Sequence, residues 1–252
     1  DVFAPLLDRL VEELPALRQP AGPGLAVFGP VARRMLAAVM PHAATFITPM
    51  AAVAGAVADH VLAAMVAGRR LSRAYVNNGG DISLFLADGA SFDVGMVSRP
   101  DACDRHGKIT VTSAMMVRGV ATSGWRGRSF SLGIADSVTV LARDAATADA
   151  AATMIGNAVT IDHPAIRRQP ASQLAPDSDL GERLVTVDVG RLAGHDIAVA
   201  LEAGLAKADL LRSRGLIEAA CLMVQGEMRL CGQLKQKSLP LAGSLRLERT
   251  GT

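Results

Sequence analysis

The sequence predicts an α+β fold, in which mostly antiparallel or mixed sheets are flanked by helices. Two observations support this class. Seven short segments between residues 71 and 142 have the spacing of strands and are separated by tight turns, whereas the segments on either side have helical spacing. Strands joined by short turns pair in an antiparallel fashion, so the pattern argues against a doubly wound parallel sheet.

Composition and charge exclude several classes of partner. The chain has 252 residues, which is enough for one large core, and its net charge is only +2. Basic residues are scattered and aromatic residues make up 3% of the chain, so we expect no nucleic acid partner. The three cysteines form no CxxC pair and no even set, and the first residues lack the features of a signal peptide. These features predict a cytoplasmic protein.

A long alanine-rich helix is predicted early in the chain. Thr48 and Pro49 are a favourable helix start, and Gly68 marks its end. The run between them is long enough to be mistaken for a membrane span, but it contains Asp59, and a mid-span Asp costs about 2.5–3.5 kcal/mol. We therefore expect a buried helix and no membrane contact. Small residues around Gly55 predict that another element approaches this helix closely, most commonly a strand.

The other elements follow from periodicity and from turn residues. Apolar and polar residues alternate in several segments, as in half-buried strands, and Asp144 is a good N-cap for the helix after it. We predict strands at 72–76, 82–86, 91–97, 109–112, 115–121, 129–134, 137–142, 184–189, 219–225 and 228–232. Helices are predicted at 1–18, 31–39, 48–67, 144–159 and 196–214, and a polar surface loop at 160–183.

The first candidate site is the turn formed by Asn77, Asn78, Gly79, Gly80 and Asp81, set between two predicted strands. Asn and Gly tolerate positive φ, and Gly allows other groups to approach the backbone. Such a turn can expose N–H groups that cradle a phosphate or the edge of a flavin. Asn-Gly is also a strong signal for an ordinary hairpin, so both interpretations stay open.

The second candidate is the segment Thr122, Ser123 and Gly124, which ends a predicted strand and is followed by Arg126 and Arg128. Hydroxyl groups, backbone N–H groups and guanidinium groups together favour binding of an anion or phosphate. A hairpin loop with solvated arginines is the alternative.

The third candidate is the pair Asp149 and Thr153, which are four residues apart on a predicted helix and therefore project from one face. A carboxylate and a hydroxyl are oxygen ligands suited to Mg²⁺ or Ca²⁺. The alternative is an exposed Asp beside a Thr bonded to its own helix. Residues 101–106 hold two Asp, one Cys and one His, but no second Cys/His pair completes a zinc site, so we expect a polar loop there.

The order of these motifs resembles that of the ApbE family, the FAD:protein FMN transferases. Asn77–Ile82 is similar to the family's Asn-x-Gly-Gly-Asp-Ile, and Ala121–Gly124 to its Thr-Ser-Gly segment. Residues 137–153 resemble its Ser-Val-Thr-Val strand and Ala-Asp-Ala-x-x-Thr helix, and Pro49–Asp59 its Gly-x-x-Lys-Gly helix start. The resemblance covers about residues 48–158.

The resemblance implies a single ApbE-like domain of two interlocked lobes. Its parts would be a helical extension at 1–47, a core with the motifs at 48–158, a second lobe at 159–232 and a loose tail at 233–252.

The resemblance also implies a pocket for FAD or another nucleotide. Its walls would be Asn77–Asp81 and Thr122–Gly124. Mg²⁺ would be held by Asp149 and Thr153, with a backbone carbonyl near Ala51 as a third ligand.

One departure from the family keeps the function open. The family carries a His-x-x-Asp-Pro-x-Thr-Gly segment, but the corresponding interval Trp125–Asp136 contains no His, Pro or Thr, and Ala54 replaces the Lys of the helix motif. The chain is therefore a Mg²⁺-dependent flavin transferase or hydrolase, a non-catalytic small-molecule-binding protein, or a purely structural domain. The catalytic residues, any protein acceptor and a homo-oligomeric state are left open by the sequence.

Overall fold

The computed structural model describes residues 4–97, 105–232 and 236–237, and it confirms the α+β class. The helices are α1 (Leu6–Glu12), α2 (Leu14–Leu17), α3 (Pro30–Val39), α4 (Val53–Val66), α5 (Ala145–Ala158), α6 (Ala171–Leu174) and α7 (Gly194–Ser213). Short 3₁₀ turns span Met40–His42 and Pro49–Ala52. The strands are β1 (Arg73–Asn78), β2 (Asp81–Leu86), β3 (Ser91–Val97), β4 (Arg105–Thr112), β5 (Gly119–Ser123), β6 (Ser137–Ala142), β7 (Ile166–Pro170), β8 (Leu184–Val189), β9 (Ala219–Val224), β10 (Glu227–Cys231) and β11 (Gln236–Lys237).

The strands form one large sheet and two small ones. The large sheet has six strands in the order β1-β2-β5-β6-β9-β10, and the small sheets have the orders β11-β4-β3 and β7-β8. Every neighbouring pair that the structure describes is antiparallel. The prediction from short turns is therefore confirmed.

Central strands β6 and β9 are buried along their whole length, because both faces of the large sheet are covered. On one face, Val138 and Val140 belong to an apolar cluster with residues of α5 and α7. On the other face, Leu141 clusters with Val111 of β4, in the three-stranded sheet. Burial of this apolar surface, at roughly 25 cal/mol per Å², is the main source of stability for the domain.

Helices α4 and α5 cross closely at Gly55, behind the edge of the large sheet. A Cβ at this position would overlap the carbonyl oxygen of Ala145, at the start of α5. The small residues of α4 therefore do accommodate a neighbouring element, but that element is a helix start and not the strand that we expected.

By length and composition, Pro49–Val66 could cross a membrane, with a mean hydropathy of 1.6 over that window. In the fold, however, α4 packs against α3, α5, β1 and β2, and its Ala56, Ala58 and Leu62 are buried. Its Asp59 is also buried and hydrogen-bonded within the protein. These contacts favour the predicted core helix.

The predicted strand at 129–134 is wrong. This segment is irregular and lies against the end of α5, where the Ile134 N–H donates to Val159 O at 2.8 Å and the Leu132 N–H to Asn157 Oδ1 at 2.9 Å. The alternation of apolar residues is not matched by burial, since Phe130 is exposed and Ser131 is buried, and the backbone donors of Leu132 and Ile134 are satisfied at the end of α5 and not by a strand.

Three other boundaries differ from the predictions. The strand expected at 115–121 begins only at Gly119 and continues to Ser123 as β5. The surface loop expected at 160–183 contains β7 and α6, since β7 pairs with β8 in a two-stranded sheet. In the tail expected to be loose, Gln236 and Lys237 pair with β4, while the rest of 233–252 lies outside the described residues. The cluster at 101–106 lies outside them too, apart from the backbone of residues 105 and 106 in β4.

Candidate functional site

The hairpin turn between β1 and β2 is built from positive-φ glycines. Gly79 has a φ of +72° and Gly80 a φ of +116°. Residues with a Cβ rarely adopt these backbone conformations. Asn77 Oδ1 accepts the N–H of Gly80 at 2.9 Å, and Asn78 Nδ2 donates to Ala54 O at 3.1 Å. The asparagine side chains therefore shape the turn and attach it to the start of α4.

Asp81, the first residue of β2, is the member of this motif that faces a cavity. Its Oδ1 accepts the N–H of Thr122 in β5 at 3.2 Å, while the Thr122 hydroxyl pairs with that of Thr139 at 3.0 Å. Ser123, the next residue, lies on the cavity wall. The Thr-Ser-Gly segment thus contributes one backbone donor that positions Asp81 and one hydroxyl that lines the cavity.

Gly124 and Arg126 have positions that the motif alone does not reveal. Gly124 is buried, and a Cβ there would overlap the backbone oxygen of Asp136. Arg126 Nε donates to Asp136 Oδ1 at 3.0 Å, and its guanidinium lies 4.3 Å from the ring centre of Trp125. Neither residue is among those that line the cavity, whereas Arg128 is. Of the two arginines that follow this strand, Arg128 and not Arg126 therefore lies at the cavity.

The helix α5 places Asp149 and Thr153 on the same cavity wall. Asp149 Oδ2 accepts the N–H of Gly55 at 3.0 Å. Burial, together with the charge of Asp81, raises the pKa of Asp149 well above its ordinary value. Burial also raises the pKa of Asp81 to about 6, although the N–H of Thr122 acts to lower it. Two carboxyl groups from different elements are therefore held close enough to repel each other when both are ionised.

These segments converge on one cavity of about 300 Å³ between the start of α4, α5 and the loop before β8. Side chains that bear oxygen on its wall include Asp81, Ser123, Asp149, Thr153, Ser178 and Asp179. Its volume is at the lower end of the range for small-molecule sites. A second cavity of about 300 Å³, between α1 and α3, is mainly apolar, although Arg9, Glu13 and His60 are among its lining residues.

The loop 178–180 belongs to the cavity wall although we did not predict it. The buried Thr48 donates its hydroxyl hydrogen bond to Asp179, which fixes the loop beside the start of α4. The sequence offers no signal for this contact, because the two residues are 131 positions apart and Thr48 is recognisable only as a helix start. In the structure its hydroxyl donates to Asp179 and makes no side-chain cap of that helix start.

The donor set of the cavity fits a magnesium ion better than zinc. Within the described part of the chain, no three His, Cys, Asp or Glu side chains cluster as a metal site. Mg²⁺ needs fewer protein ligands, since it usually keeps several waters and is bound by one or two carboxylates. Asp81, Asp149 and the Thr153 hydroxyl supply oxygen donors of this kind, and a cation would relieve the repulsion between the two carboxylates.

Comparison with known proteins gives the family of the chain. A family model described as "AbpE bacteria" matches residues 1–230. The chain belongs to this ApbE-related family. The matched region includes the described core and each of the predicted site residues, from Asn77 to Thr153.

Archaeal relatives of this AbpE-family chain are named UPF0280 proteins. The relative from Methanopyrus kandleri is 36% identical over 185 residues, which is 72% of each chain. That from Methanothrix thermoacetophila is 39% identical over 136 residues, and that from Methanococcus vannielii is 42% identical over 114 residues. In these two, the match spans only 54% and 44% of the relative's length. The names of these relatives assign no activity.

Proposed function

We propose that this protein binds FAD or another nucleotide together with Mg²⁺ in the cavity between α4 and α5. The observation that carries this proposal is that residues of three separate motifs meet at one cavity. Asp81, Ser123, Asp149 and Thr153 come from three motifs that are separate in sequence, yet all four line one cavity. Ionisable groups whose pKa values are shifted by burial and that line a shared cavity are typical of functional sites.

The magnesium ion would be held by Asp149 and Thr153, with Asp81 as a further oxygen donor. When bound, Mg²⁺ supplies positive charge that neutralises the oxygens of a diphosphate. The protein itself positions the carboxylates that would bind the ion. The N–H of Gly55 orients Asp149, the N–H of Thr122 orients Asp81, and burial of both carboxyl groups strengthens their interaction with a cation.

Binding experiments test the proposal directly. We expect FAD, FMN or ADP to bind with micromolar affinity in the presence of Mg²⁺, and at least about tenfold more weakly when EDTA removes it. Asp149→Asn should abolish this dependence on Mg²⁺, whereas Asp188→Asn, at a half-exposed side chain of β8, should leave it unchanged. Isothermal titration calorimetry measures ligand binding by the wild type and by both variants, with Mg²⁺ and with EDTA. Failure of wild-type protein to bind any of these ligands would contradict the proposal.

Catalysis forms a separate question with two candidate answers. The answers are non-catalytic binding and cleavage of the diphosphate by a metal-activated water. The described residues of the cavity wall include no His, Lys or Cys, and the nucleophilic side-chain groups there are Ser and Thr hydroxyls and Asp carboxylates. Incubation with FAD and Mg²⁺ followed by chromatography distinguishes the two. FMN and AMP in equal amounts would indicate cleavage of the diphosphate, and unchanged FAD with retained binding would indicate a non-catalytic binder.

A further inference from the structure

Arg128 differs from its neighbour Arg126 in that its guanidinium makes no hydrogen bond within the described residues, although its charge acts to lower the pKa of Asp81. Both lie in the short segment between β5 and β6. Arg126 is paired with Asp136 and stacked on Trp125. Arg128 lines the cavity, and no hydrogen bond or ion pair joins it to any residue in the part of the chain that the structure describes. Its N–H donors are therefore available to a ligand.

The turn between β1 and β2 makes room for this guanidinium. A Cβ at Gly79 would lie 2.9 Å from Nη2 of Arg128, so any larger residue would crowd it. The Gly-Gly turn therefore has a role toward Arg128 in addition to closing the hairpin.

Arg128 is also the sole cationic side chain among the described residues of the cavity wall, where the other ionisable groups are Asp81, Asp149 and Asp179. A wall with three carboxyl groups repels a phosphate unless positive charge is supplied. A metal ion binds single oxygens in its coordination shell, whereas a guanidinium presents paired N–H donors that match two phosphate oxygens.

We propose that Arg128 binds a phosphate group of the ligand and makes the cavity selective for phosphorylated over unphosphorylated ligands. This inference rests on the proposed function, because it requires that a flavin or another nucleotide binds in this cavity. A different role for Arg128 would be to neutralise Asp81 alone. In that case its removal would alter metal binding but not the preference for a phosphate.

The test is a comparison of FMN with riboflavin, which differ by the phosphate. In the full-length protein with Mg²⁺, calorimetry should show tighter binding of FMN. Arg128→Gln should weaken FMN binding roughly 10- to 100-fold, because a charge-assisted hydrogen-bonded pair is lost, and should change riboflavin binding by less than about twofold. Arg128→Lys should give an intermediate loss. Arg167→Gln is the matched control, since this arginine lies on exposed β7 and pairs with Asp188.

The outcomes separate this inference from the proposed function. If wild-type protein binds flavins equally well with and without a phosphate, or if Arg128→Gln keeps the preference for FMN, the role of Arg128 is overturned while nucleotide binding stands. If wild-type protein binds no flavin and no nucleotide, both are overturned. Equal thermal unfolding of the variants and the wild type establishes that the differences arise in binding.

Discussion

Both oxygens of the buried Asp59 carboxyl group accept hydrogen bonds, although Asp59 lies in the middle of an apolar helix. Its Oδ1 accepts the hydroxyl of Ser83 at 2.6 Å and the N–H of Ala145 at 3.1 Å, and its Oδ2 accepts the N–H of Ala146 at 3.0 Å. Two of these donors are the first N–H groups of α5, which have no partner within that helix. Asp59 therefore fixes the start of the helix that carries the candidate metal ligands.

Replacing Asp59 by Ala should cost about 2–4 kcal/mol of unfolding free energy, because two buried N–H groups and one hydroxyl lose their acceptor. Asp59→Asn should cost less, since one amide oxygen remains and no charge is buried. Urea unfolding followed by circular dichroism measures both. The control is Asp188→Ala at a half-exposed side chain of β8, expected to change stability by less than about 0.5 kcal/mol. A similarly small effect of Asp59→Ala would contradict this role.

At the scale of elements, the crossing of α4 and α5 determines both packing and site geometry. Gly55 lets the two helices approach until no room is left for a Cβ, which would lie 2.3 Å from the carbonyl oxygen of Ala145. The N–H of the same residue donates to Asp149 at 3.0 Å. One glycine thus sets the separation of the helices and the orientation of a candidate metal ligand.

Gly55→Ala should therefore destabilise the protein by several kcal/mol, even though Ala favours a helix by about 1 kcal/mol over Gly. The added methyl group would overlap backbone atoms of α5, which cannot move aside as a flexible side chain could. The matched control is Gly194→Ala at the start of α7, where nothing lies within 4 Å of the new Cβ. We expect that variant to be neutral or slightly more stable. Equal effects in thermal unfolding would refute the argument.

The elements that the sequence predicted well are those whose partners are apolar layers. Strand β6 and helix α5 have clear periodicity, and Asp144 does cap α5 by accepting the N–H of Thr147 at 2.7 Å. The irregular segment at 129–134 was misread because its alternating apolar residues look like a strand. Its true partners, near Asn157, are about 25 positions away, and a local pattern cannot show them.

The candidate site was predictable in its motifs but not in its contacts. The order of the motifs brought Asp81, Ser123 and Asp149 to attention, and the fold places them at one cavity. The choice between Arg126 and Arg128 could not be made, because both follow the same strand and only the position of Asp136 decides which one is engaged. That position depends on packing across the sheet.

At the scale of the whole molecule, the cavity concentrates negative charge in a protein whose net charge is +2. Burial raises the pKa of Asp81 to about 6 and raises that of Asp149 as well, so the folded protein holds these protons more tightly than the unfolded chain. The stabilising contribution of such groups is present at low pH and is lost as the pH rises through the folded pKa. For Asp81 the loss amounts to roughly 3 kcal/mol at most.

Metal binding should restore the stability that is lost as the pH rises, because Mg²⁺ binds the ionised carboxylates and protons compete with it. In EDTA, we expect the thermal unfolding temperature to fall between about pH 4.5 and about pH 7.5, and to fall less in Asp81→Asn than in the wild type. Millimolar Mg²⁺ should raise it at about pH 7.5 by mass action and have little effect at about pH 4.5. Asp149→Asn should remove the response to Mg²⁺. An equal response at both pH values, or in that variant, would show that the ion binds elsewhere on the protein.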